Sequence, residues 1–158
     1  MLRWLTAHAL VLISFAGQTR TAYACDCSTL PVDMSIAQAD VIVRATVTRM
    51  ETTETAGVLR LIASVRESFK GASTTTLTIY THPFGFSCLG YDFRVGREYV
   101  VFARINNGMI NGSRSDLLQM RDVPSTVYVV YLCGGTADVG RADGYQRLAA
   151  LRQRLKLK

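Results

Sequence analysis

Four cysteines are the residues best placed to do chemistry: Cys25 and Cys27, one residue apart behind Ala22-Tyr23-Ala24, and Cys88 and Cys133, each alone far downstream. Thiols so placed can cross-link the chain, ligate a metal or carry a lipid. The first 24 residues choose among these chemistries. Arg3 forms a short basic start, Ala9 to Ala16 is an apolar run, and Ala22-Tyr23-Ala24 is a small-x-small cleavage site, the pattern of a secretory signal. The apolar run is bounded by His8 and by Gly17-Gln18-Thr19-Arg20, short of the roughly 20 residues that a spanning helix needs. Cleavage after Ala24 makes Cys25 the first residue of the product. A lipid-acylated Cys25 is the second reading of the same site; the usual lipid-attachment pattern has an aliphatic residue three positions before the cysteine, where this chain has Ala22.

Export, to the exterior or a periplasm, puts the cysteines in an oxidising compartment, where an even number implies two disulfides. Cys25 and Cys27 are too close in an extended segment to satisfy disulfide geometry with each other, so each reaches a distant partner. Two connectivities with Cys88 and Cys133 remain open. Loops of that length are worth roughly 3 to 5 kcal/mol each in the chain-entropy account. A structural zinc site is the competing chemistry. It asks for closely spaced ligand pairs at both ends, whereas Cys88 and Cys133 stand alone and the exported part holds one histidine, His82.

Other chemistry finds little footing. No Ser-His-Asp set assembles around His82, which precedes Pro83 and reads as a loop residue rather than a base, and no glycine-rich phosphate loop occurs. Asp92, Asp116, Asp122, Asp138 and Asp143 read as turn and cap residues. The sequence therefore points to no enzyme and to no cofactor. Tyr80, Phe84, Phe86 and Tyr91 could stack bases, but export, disulfides and the usual core role of aromatics in small barrels argue against a nucleic-acid partner. Without residues 1–24 the chain keeps 16 basic against 12 acidic residues. Much of the excess is in Arg147, Arg152, Arg154, Lys156 and Lys158, a solvated helix face that also offers a contact for anionic surfaces.

The elements that position these residues follow from periodicity. The segment from Ala39, ADVIVRATVTRMET, alternates Val41, Val43, Ala45 and Val47 as a half-buried strand does, after a short helical turn at Ser35 to Gln38. Val58 to Phe69 is a second strand with Leu59, Leu61, Ala63 and Val65 in alternation, and Thr74 to Thr81 a third, rich in threonine. His82 to Gly96, rich in glycine and aromatics, is a long irregular loop carrying Cys88. Glu98 to Ile105 is the fourth strand, with a turn at Asn106 to Gly108. Residues 109 to 125 form a helical turn or a surface crossing, and Thr126 to Cys133 is the fifth strand. Asp143 to Lys156 is an amphipathic helix with Tyr145, Leu148, Leu151 and Leu155 on one stripe. Residues 25 to 158 are the size of one compact domain. Five strands and a terminal helix favour a mainly β fold, a five-stranded Greek-key barrel, over a sandwich, which usually has about seven strands.

Cys25-Asp26-Cys27-Ser28, then IAQADVIVRATV, ESFKG, YTHPFGFSCLG and VYLCGG, in this order and spacing, resemble the N-terminal, netrin-like domain of the tissue inhibitors of metalloproteinases. The likeness covers nearly all of the chain from Cys25 to Gly135. It implies a five-stranded barrel of the oligonucleotide/oligosaccharide-binding (OB) type and disulfides Cys25–Cys88 and Cys27–Cys133. It also implies a function as a secreted inhibitor of a zinc metalloprotease: the free α-amine and carbonyl of Cys25 chelate the protease zinc. An α-amine titrates near neutral pH, so its neutral, metal-binding form is accessible, and a catalytic zinc keeps an open position. Asp26, Cys27 and Ser28, with Phe84, Gly85, Phe86, Ser87 and Cys88 across the bridge, make the contact ridge. In this reading the inhibitor holds no metal of its own.

Three departures qualify the resemblance. The second residue of the family is commonly Thr or Ser, which enters the protease's specificity pocket; here it is Asp26, and burying an unpaired carboxylate there costs several kcal/mol. Ala37 stands where the family has the first cysteine of a third disulfide, and the sequence holds no six-cysteine C-terminal domain. A non-inhibitory netrin-like binding or structural module outside the cell is the alternative function.

Overall fold

A computed structural model describes residues 30–54, 57–83, 90–105 and 127–155. The chain enters through Pro31 into helix α1, Val32–Gln38, and passes by way of extended Ala39 into strand β1, Val41–Thr52. Strands β2, Leu59–Lys70, and β3, Thr76–Thr81, follow in antiparallel sequence. Strand β4, Glu98–Ile105, pairs with β1. Strand β5, Tyr128–Val129, runs parallel to β3 and antiparallel to β4. The order β1-β2-β3-β5-β4 thus returns to β1 and closes a five-stranded barrel of the OB type. A short β6, Ala137–Asp138, lies on β4, and helix α2, Ala142–Arg154, ends the described chain.

Val41, Val43, Ala45 and Val47 do point into the barrel, where they meet Leu61, Ala63, Leu77, Ile79, Tyr99, Val101 and Ala103. Ile42, Val100 and Phe102, on the opposite face, are just as buried, because Leu148 and Leu151 of α2 cover them. The continuous apolar runs VIV and YVVFA have this cause: β1 and β4 are covered on both faces, whereas β2 alternates.

Strand β4 has the bounds that its sequence predicts, and β1, β2 and β3 begin within two residues of theirs. Strand β5 is shorter than Thr126 to Cys133. Its ladder ends after Val129, although Val130 N still donates to Tyr80 O at 3.0 Å, and the chain then turns. The helix stripe also differs. Tyr145 is 67% exposed, and the buried positions are Gly144, Leu148 and Leu151, with Leu155 packed at the rim. The first turn of α2 lies so close on the Asp138 backbone that only a residue without a side chain fits inward, which rotates Tyr145 out. The turn at Asn106 to Gly108 and residues 109 to 125 lie outside the described residues, as does the boundary at Ala24.

Candidate functional site

Of the residues singled out for the contact ridge, Cys25, Asp26, Cys27, Ser28, Phe84, Gly85, Phe86, Ser87 and Cys88 lie outside the described residues. The stems that carry them are described. Parallel pairing of β3 and β5 sets Ile79 beside Tyr128 and Tyr80 beside Val129. Thr81 Oγ1 then donates to Val130 O at 2.8 Å. The two chains therefore leave the barrel side by side, one toward Cys88 and one toward Cys133.

The loop between Pro83 and Gly90 is closed at its base. His82 is fully buried, and its Nδ1 donates to the Gly57 carbonyl in the β1–β2 turn. A Cβ on Gly90 would sit 2.0 Å from the His82 carbonyl oxygen and 2.3 Å from that of Pro83, so glycine is what lets the two stems touch. His82 is thus a loop residue, as its sequence context suggests, and its role in this position is to fasten the loop stem to a neighbouring turn.

The other stem is held by Arg147 of α2. Its Nη2 donates to Leu30 O at 3.1 Å and its Nη1 to Ser35 Oγ at 3.3 Å. Burial lowers the Arg147 pKa from its ordinary value, with Asp143 and Tyr91 opposing the shift. Gly135, at φ 99°, packs against the same pair: a Cβ there would lie 2.5 Å from Ser35 Oγ and 3.3 Å from Arg147 Nη1. Cys133, two residues earlier, is exposed and lies in a turn that Gly134 N closes on Tyr131 O at 3.1 Å. The N-terminal stem, the Cys133 turn and α2 thus meet at one guanidinium.

A concavity of about 610 Å³ opens between residues 91–99, β6 and the start of α2. Arg94, Arg97 and Arg141 line it with Asp92, Asp138 and Asp143. Arg94 pairs with Asp92 at 3.0 Å, and Asp138 Oδ1 accepts Gly140 N at 2.8 Å. The signs balance, so the cleft has little net pull on an anion. At its floor Tyr91 packs edge-on against Tyr99 and tilted against Phe93 behind it, and burial pushes the Tyr91 phenol up to about 12. Sequence reasoning missed this cleft, because it forms only where β6, which has no periodic signal, lies on β4.

Arg152 of α2 is turned onto the barrel and Arg154 onto α1. Arg152 Nη2 meets Glu67 at 2.6 Å, and Glu67 lies 4.0 Å from Arg44, which in turn binds Glu98 at 2.8 Å. Arg154 pairs with Asp33 at 3.2 Å. Tyr80 and Tyr91 pack into two different apolar clusters, and Phe84 and Phe86 lie outside the described residues. Among the described residues no three His, Cys, Asp or Glu side chains gather as metal ligands do, and no helix is long and apolar enough to cross a membrane. The chain matches no protein-family model and no curated protein.

Proposed function

We propose that this chain is an exported inhibitor of a zinc metalloprotease, acting through the free α-amine and carbonyl of Cys25. The observation that carries the reading is the meeting of three stems around the 131–135 turn. A three-residue step from Leu30 to Cys27 spans at most about 10 Å, and Cys133 is two residues from Gly135, so a Cys27–Cys133 bridge is within reach. The same arrangement leaves Cys88, on the pinched loop, for Cys25. Such bracing matters for affinity, since a terminus already fixed in its bound form loses little freedom on docking.

Asp26 favours the second reading, a netrin-like binding module that shares the barrel and inhibits nothing. Its carboxylate suits a protease with a basic or polar pocket and opposes an apolar one. Acylation of Cys25 would also remove the free amine.

N-terminal sequencing and intact mass of the exported protein, followed by a panel of zinc metalloproteases, test the proposal. Expected are a free Cys25, inhibition of at least one protease, stronger inhibition of apolar-pocket proteases by Asp26→Thr, and loss of inhibition when an alanine is added before Cys25. Equal inhibition by the extended protein would sink the chelation mechanism. A lipid on Cys25, or no inhibition by either wild type or Asp26→Thr, would favour the module.

A further inference from the structure

We infer that the chain forms a weak symmetric dimer through the outer edge of β1, with the twofold axis at Met50. Strand β1 is shared between β2 and β4 only as far as Thr46. Val47 closes that ladder, donating to Arg97 O at 3.0 Å and accepting Gly96 N at 2.8 Å. Beyond Val47, among the described residues, no strand lies on that side of β1.

A one-residue bulge decides what this edge presents. The register steps from Val47↔Ala63 to Arg49↔Ile62, leaving Thr48 as the extra residue. Past the bulge, Thr53 N donates to Val58 O at 3.1 Å. Stepping back by twos through Glu51↔Arg60 and Arg49↔Ile62, the backbones of Glu51 and Arg49 also face β2. The N–H and C=O groups of Met50 and Thr52 therefore point outward, and among the described residues no strand takes them.

Edge strands usually resist pairing by carrying charge, and lysine above all. Here the charges select one partner. Arg49 and Glu51 flank Met50, which is 41% exposed; within one copy they pair with each other at 2.7 Å and Glu51 also accepts from Arg60 at 2.9 Å, so the edge carries one positive and one negative side chain on either side of Met50. In an antiparallel pairing of two copies about Met50, Arg49 stands opposite Glu51 of the second copy, Glu51 opposite its Arg49, and Met50 opposite itself. A parallel pairing would set like charges beside one another, which is unfavourable. Glu51 remains ionised for this role, since Arg60 and Arg49 lower its pKa. With so few paired residues, the contact is at the small, transient end of interface sizes.

Sedimentation velocity of the full exported chain over rising concentration tests the inference. The weight-average mass should climb toward twice the monomer. Met50→Pro removes an outward N–H without touching the β2 ladder, so it should remain monomeric. Arg49→Glu and Glu51→Arg should each weaken self-association about tenfold, because each sets like charges opposite one another twice. Mixed one to one, those two variants are again complementary at both pairs and should associate with each other. A wild type that stays monomeric throughout overturns the inference. So do variants of unchanged circular dichroism that self-associate like wild type, or a mixture that associates no better than its parts.

Discussion

Arg147→Ala removes the side chain that fastens the N-terminal stem to α2. The guanidinium donates to Leu30 O and to Ser35 Oγ, and Ser35 is fully buried. Truncation leaves both acceptors without this donor, and Ser35 is buried at the contact. A hydrogen bond from a charged donor contributes about 1.5 to 3 kcal/mol. Two such bonds are offset in part by the burial of the guanidinium, the cause of its lowered pKa, so the net loss should be about 2 to 3 kcal/mol. Arg147→Lys keeps the charge but not the fork and should recover less than half of that loss. Urea denaturation followed by far-UV circular dichroism measures the change, with Arg152→Ala as the comparison. Arg152 also makes two bonds, both to Glu67, yet it lies in solvent, so its loss should be much smaller. If Arg152→Ala destabilises as much as Arg147→Ala, burial is not what makes the Arg147 contacts matter. Under the proposed inhibitory function, Arg147→Ala should weaken protease inhibition further than its stability loss explains, because it frees Leu30 on the stem that leads toward Cys25.

Leu151→Ala should cost about 2 to 5 kcal/mol in the same denaturation experiment, since Leu151 is fully buried between α2 and β4, whereas Tyr145→Ser should be close to neutral. The Arg152 hydrogen bond holds the Glu67 carboxyl below its usual range, aided by the charges of Arg152 and Arg44. Its contribution is therefore present above the ordinary carboxylate pKa and fades as pH falls through the lowered folded value; Glu67→Gln should flatten the acid limb of stability against pH. Tyr91 shifts the other way, from 10.0 to about 12, so its contribution is full below the unfolded value and is lost as pH rises across that window. Spectrophotometric titration should find the ionisations of Tyr91 and Tyr99 delayed, both by burial, and Tyr91→Phe should remove the latest step.

How much of this was legible depends on how local the cause is. Glu98 to Ile105 could be bounded from the sequence because its apolar run ends in charge on one side and in Asn-Asn-Gly on the other. Ala137–Asp138 could not, since two residues have no period and become a strand only by lying on Tyr99 and Val100. The stripe on α2 was read one residue off at its start: periodicity counts Tyr145 as apolar, and nothing local says that Asp138 comes close enough to require Gly144 there. The role of His82 as a fastener depends in the same way on Gly57, which is 25 residues away. Of the contact-ridge and disulfide residues, Cys133 is the one among the described residues.

The sequence by itself determined the strand periods, the helix and the closed β class, because hydrophobic alternation and turn residues act over a few residues. Only the tertiary structure decided that β3 and β5 run parallel, that Arg147 holds the N-terminal stem where Gly135 of the Cys133 turn packs, and that a bulge at Thr48 aims the Met50 backbone outward. These depend on register and close approach between segments far apart in the chain, where a shift of one residue reverses which groups face each other.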